Sequence, residues 1–192
     1  DPVSLRSEMR QYTIFIDAIS KVFAATGVRV GWSFGPAAII NKMKAILTHL
    51  GAWAPMAEQK AVAYYLGNRE AINKYLAHFK AEIGVRLRTI YDGFMALKKE
   101  GFAVDAIAPE AAIYLTIKID LAGKKTTDGV VLKDQSEVTG YILNEAKLAV
   151  VPFNAFGADK SSAWYRLSVG TCKKEEISEM LGKLKEALKK LV

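Results

Sequence analysis

The sequence predicts an α/β fold: two strands with their helices, one long helix, then a smaller α+β lobe. Three observations carry this. β-prone runs at Tyr12–Ile16 and Val28–Phe34 precede helical spacing. An apolar stripe stepping by three or four residues runs without interruption from Ile72 to Leu97. After Gly101, short alternating runs mix with further helical stripes. The corresponding boundaries are residues 1–66, 67–100 and 101–192.

Tyr12-Thr13-Ile14-Phe15-Ile16 reads as a buried strand. In the next run Val28, Val30, Trp32 and Phe34 alternate onto one face, with Arg29 opening the strand. The connection between the two is too short for a parallel crossover, so the strands should pair antiparallel. Lys21 and Arg29 then share one edge of the sheet. Gly35-Pro36 ends the second strand, and Pro36 suits a helix start before the stripe Ile39, Ile40, Met43, Ile46, Leu47, Leu50. A second helix is expected from Pro55 to Leu66. Asn68 is a plausible N-cap for the long helix, in which Gly84 and Gly93 are weak points. In the last part, strands are expected at Ile113–Ile119, Leu148–Val151 and Trp164–Val169, with a helix over Ser136–Lys147. The final helix carries Ile177, Met180, Leu181, Leu184, Leu188 and Leu191 on one stripe.

Composition excludes several classes. With 192 residues, 51% hydrophobic and 24% charged, the chain is neither disordered, collagen-like nor a coiled-coil rod. Its single cysteine, Cys172, excludes an internal disulfide framework and a Cys-rich metal site, and it suits a reducing, cytoplasmic compartment. Asp1-Pro2 opens no secretory leader, and the missing Met suggests a segment of a longer protein. No apolar run approaches the ~20 residues of a membrane helix. The net charge of +7 permits polyanion binding, but Lys183, Lys185, Lys189 and Lys190 alternate with Glu179 and Glu186, as on a solvated face. With no zinc-finger or RNA-recognition pattern, neither nucleic acid nor membrane is expected as a partner. His49 and His78 read as helix residues, and no metal site is expected.

Three residues could carry chemistry. Lys21 lies just past the carboxyl end of a strand, where α/β sheets place ligands, and a desolvated lysine can attack a carbonyl. A solvated loop lysine is the alternative. Arg29, between Gly27 and Gly31, leaves room for an anion at its guanidinium fork, or simply faces water. Arg166, flanked by Trp164 and Tyr165, could take a carboxylate bidentately or be a solvated strand residue.

Ser20-Lys21, Thr26-Gly27, Arg29, Gly31-Trp32 and Gly35-Pro36 together resemble the S-K-x(4)-T-G-x-R-x-G-[WY]-x-x-G-P signature of the class I/II aminotransferases. These are aspartate-aminotransferase-like, fold-type I enzymes that use pyridoxal phosphate. Pro55 to Ala61 is similar to the family's P-x-x-x-Q-x-A helix start, Pro152 to Gly157 to its P-G-x-x-F-G turn, and Arg166-Leu167-Ser168 to its R-L-S strand. The motifs are collinear from about Tyr12 to the C-terminus.

The resemblance implies that the chain is the C-terminal half of such an enzyme. It would hold the end of the large cofactor-domain sheet, a spine helix and the small domain. Lys21 would form the Schiff base with pyridoxal 5'-phosphate. Once an α-amino acid displaces it, Lys21 would move the proton between Cα and the cofactor. Ser20 and Arg29 would hold the phosphate, and Arg166 would clamp the substrate α-carboxylate. A 2-oxo acid would be the second substrate, and relatives are usually homodimers. Ala18 stands where many relatives carry a phosphate-binding hydroxyl, Ala111 to Tyr114 where they read G-x-F-Y, and Phe153 replaces a glycine. Some relatives place an arginine for dicarboxylates around Trp53 to Gln59, and this chain has none. The family's remaining cofactor-holding residues lie upstream of this stretch, so the chain alone is expected to be inactive. Another fold-type I enzyme, a lyase or synthase, and an aminotransferase-like regulatory module share these motifs.

Overall fold

The computed structural model describes residues 1–192, which fall into two units, Asp1–His78 and Phe79–Val192. In the first, Asp1 caps the short helix α1 (Pro2–Leu5), and a 3-10 turn follows over Ser7–Tyr12. The Thr13 hydroxyl donates to the Met9 carbonyl at 2.8 Å and extends that turn. The first strand, β1, therefore spans Phe15–Ala18, later than the Tyr12–Ile16 expected. Nor is it buried: Ile16 is 72% exposed, because β1 pairs only with β2 (Gly31–Phe34) in a two-stranded sheet.

The pairing is antiparallel as expected, with Phe15 opposite Phe34 and Ala18 opposite Gly31. A Cβ on Gly35 would lie 2.9 Å from the Thr13 carbonyl oxygen, so only glycine lets the chains approach this closely. At the other end of the ribbon the one-turn helix α2 (Ile19–Val22) follows β1, and a 3-10 turn over Thr26–Val28 precedes β2. Pro36 and Pro55 stand at the N-caps of α3 (Ala37–Leu50) and α4 (Met56–Leu66). The Gln59 side-chain amide donates to the Ala54 carbonyl at 2.6 Å, fastening the start of α4 to the loop before it. Asn68 caps α5 (Arg69–Lys99) by accepting from the Ala71 N–H at 3.0 Å.

The core of this unit is Ile19, Val30 and Val62, with Phe23, Trp32 and Leu66 packed on it. The stripe expected on α3 forms, but its residues stay outside: Ile46 is 58% and Leu50 72% exposed.

The second unit holds the remainder of α5 and a four-stranded antiparallel sheet in the order β3-β4-β6-β5. Its strands are β3 (Val104–Ala106), β4 (Tyr114–Ile119), β5 (Val151–Pro152) and β6 (Trp164–Ser168). Helices α6 (Gln135–Ala146) and α7 (Ile177–Lys189) complete it. Leu148, expected to begin a strand, instead donates to the Ile142 carbonyl behind a left-handed Lys147 and closes α6. Pro152 has no N–H for a longer ladder, so β5 stays short. On β6, Tyr165 and Leu167 alternate into the core, followed by Val169, as the pattern predicts. They meet Leu115, Ile117 and Ile119 of β4, Ile142 of α6, Leu184 of α7, and Ile90 and Phe94 of α5. Each such side chain stabilises the fold by about 1.5–3 kcal/mol.

The charged face of α7 is laced by ion pairs, Lys185 to Glu100 and Lys190 to Glu145, both at 2.7 Å. Arg86 of α5 donates through Nε to the Cys172 carbonyl at 2.8 Å and pairs with Glu82. A hydrogen bond from Lys174 holds the Glu82 carboxyl below its ordinary pKa. No helix is long and apolar enough to cross a membrane.

Candidate active site

Ser20, Lys21 and Arg29 all lie at one end of the β1–β2 ribbon. The last rung pairs Ala18 with Gly31, and the Ile19 N–H then donates to the Val30 carbonyl at 3.2 Å. The chain leaving β1 therefore stays beside the chain entering β2. Ser20 and Lys21 lie just after this closure and Arg29 just before it.

Lys21 projects from a turn anchored on both sides. Ile19 is 6% exposed, and the Phe23 ring packs edge-on against Tyr65 at 5.4 Å and stacked on Tyr75 at 5.9 Å. Lys21 itself is exposed and Ser20 half-buried. Lys21 stays exposed on an anchored turn because the apolar neighbours, not the lysine, make the packing contacts.

Arg29 does not open a strand. It adopts φ 60°, ψ 37°, the left-handed region, as the last residue of the turn from 3-10 helix to β2. A non-glycine residue there is strained by about 1–2 kcal/mol, and such strain tends to collect where a side chain must be aimed. Its Nη1 donates to the Thr26 carbonyl at 2.8 Å. That bond uses one of the five guanidinium donors and leaves the others for an anion. A hydroxyl, an amine and a guanidinium thus stand at one end of the ribbon.

Arg166 belongs to the second unit. It sits mid-β6, opposite Thr116 of β4 and Val151 of β5, on the face away from the core. Trp164 and Tyr165 were the rings expected beside it. Tyr165 points the other way and is wholly buried, since neighbouring strand residues face opposite sides. The rings at the guanidinium are Tyr114, 4.5 Å from centroid to Cζ, and Phe156, at 4.8 Å. Neither ring stands out in the sequence as a partner of Arg166. Phe156 lies inside the Pro152–Gly157 motif, which was its only signal. No carboxylate of the chain pairs with Arg166, and its Nε is buried without a hydrogen-bond partner. An unsatisfied buried donor costs about 1–3 kcal/mol. The group is thus a cation held without an internal counterion, suited to an incoming carboxylate.

A family model described as aminotransferase class I and II matches residues 1–184. The aspartate aminotransferase of Bacillus sp. (strain YM-2) is 32% identical over 155 residues, covering 80% of this chain and 36% of that protein. A probable aspartate/prephenate aminotransferase of Rickettsia typhi is 26% identical over 182 residues, 94% of this chain and 43% of that protein. Among solved structures, the aspartate aminotransferase of Rhizobium meliloti superposes with a TM-score of 0.83 at 26% identity, over 100% of this chain and 46% of that one. The chain spans less than half the length of these relatives.

Proposed function

The chain belongs to the class I and II aminotransferases, and from that membership we propose that it supplies part of the active site of a pyridoxal-phosphate enzyme. That enzyme moves an amino group between an α-amino acid and a 2-oxo acid. What supports this reading is the backbone closure between β1 and β2, which puts Ser20, Lys21 and Arg29 at the same end of the ribbon.

Bound pyridoxal 5'-phosphate would supply the electron sink for carbanion chemistry at the substrate Cα. Ser20 and Arg29 hold the phosphate, Arg29 through the donors not engaged by Thr26. Lys21 supplies the amine that tethers the cofactor. When free, the same amine would carry the proton between the substrate Cα and the cofactor. Arg166 binds the α-carboxylate and so fixes the direction of the Cα–H bond. Residues 1–66 act as the end of the large domain, 67–100 as the interdomain helix and 101–192 as the small domain. Several relatives are described as aspartate aminotransferases, but residues 53–59 here offer no arginine for a second carboxylate. The amino-acid side chain therefore stays unassigned. The reading extends to a cytoplasmic homodimer. The exposed Leu5, Ile16 and Leu50 are apolar surface for an interface, and the lone thiol of Cys172 suits a reducing compartment.

The test is chemical. Pyridoxal phosphate is added to the 192-residue chain, reduced onto it with borohydride, and the modified lysine mapped by mass spectrometry against Lys21→Ala. Modification concentrated at Lys21, and lost in the variant, is expected. Label spread over the surface lysines would reject Lys21 as the tether. The chain alone should not transaminate, and turnover by a preparation free of longer protein would overturn that part.

A further inference from the structure

We propose that Tyr114 and Phe156 are positioning residues for Arg166, holding its guanidinium so that only its terminal N–H edge is offered to a carboxylate. This rests on the reading that Arg166 takes the substrate α-carboxylate.

The two rings come from different elements. Tyr114 starts β4, opposite Ser168, one step along the same face from the Thr116–Arg166 pair. Phe156 ends a 3-10 turn over Phe153–Phe156, closed by Gly157 at φ +90°. That turn is brought to Arg166 by β5, whose Val151 pairs directly with it. Phe153 packs edge-on to Phe156 at 6.4 Å. Both rings lie within cation–π range of the Arg166 Cζ.

An arginine on an open strand face would sample many rotamers and hydrate every N–H. Here Nε is closed off and unpartnered, so the donors left for a ligand are the terminal ones. The residues directly opposite, Thr116 and Val151, are uncharged and do not compete for the cation. The rings stabilise the charge without neutralising it. A carboxylate then meets a guanidinium that is already oriented and poorly hydrated.

The arginine side-chain region of a 1H–15N spectrum tests this, with Arg166→Lys assigning the signal. In the wild-type chain the Arg166 Nε–H should be shifted by ring currents and slow to exchange. Tyr114→Leu and Phe156→Leu should each remove the shift, while Tyr114→Phe and Phe156→Tyr retain it. Pyruvate, as a monocarboxylate probe, should then move the wild-type signal saturably. The leucine variants should weaken its binding by about three- to tenfold, and the aromatic exchanges should leave it within about twofold. Phe156 is 57% exposed, so its truncation spares the core and decides the matter even if Tyr114→Leu does not fold. Leucine variants that bind pyruvate as the wild type does would overturn the positioning role and leave Arg166 as the carboxylate group. A wild-type Arg166 signal indifferent to pyruvate would remove that role and the proposal with it.

Discussion

Four residues other than glycine hold left-handed backbones: Ala24, Arg29, Ala112 and Lys147. Lys147 uses the conformation to end α6, and Arg29 uses it to turn into β2. Ala112, at φ 65°, stands two residues before Tyr114 and has no polar side chain to stabilise it. Ala112→Gly should therefore raise stability by about 0.5–1 kcal/mol in chemical denaturation, and a loss of stability would show that the turn is not strained. Ser20, Lys21, Arg29 and Arg166 could be picked out as candidates in the sequence, because a motif is a spacing and spacings survive in one dimension. The conformation of Arg29 was not. Val28, Val30, Trp32 and Phe34 alternate so regularly that the run reads as a strand from its first residue. Tyr114 and Phe156 were hidden for another reason: they reach Arg166 only through the β4–β6 and β5–β6 registers.

Two glycines in α5 look alike in the sequence and differ in the fold. An added Cβ at Gly84 meets nothing within 4 Å, whereas at Gly93 it would run into a Leu181 methyl of α7. Gly84→Ala should stabilise the protein by up to about 1 kcal/mol through helix propensity alone. Gly93→Ala gains the same propensity but must turn the Leu181 side chain aside, and overpacking there costs up to about 1–3 kcal/mol, so its gain should be smaller than that of Gly84→Ala. Equal gains at both positions in a denaturant titration would rule out the close approach. The long helix itself was legible because seven turns of consistent apolar spacing admit little else. The three-residue strand β3 gave no periodic signal, and Leu148 was misread because a buried apolar residue after a helix can equally begin a strand or finish a cap.

At the scale of the whole chain, apolar burial is uneven. The second unit buries twenty-two side chains in one cluster, and the first buries three. At about 1.5–3 kcal/mol for each large side chain, the first unit has little to set against its chain entropy. Hydrogen exchange should reflect this. Amides of Leu115, Ile117 and Tyr165 should exchange at least about 100-fold more slowly than those of β1 and β2, and uniform protection would contradict it. One element escapes the division. Helix α5 passes from His78 to Phe79 without a break, and its buried residues, Leu87 to Leu97, all belong to the better-packed side. Starting a helix is the costly step, and lengthening one is cheap. Residues 69–78 therefore never need to nucleate. They can extend a turn of helix that the second unit already buries, so the cost of starting α5 falls on one side of His78 and its length reaches the other.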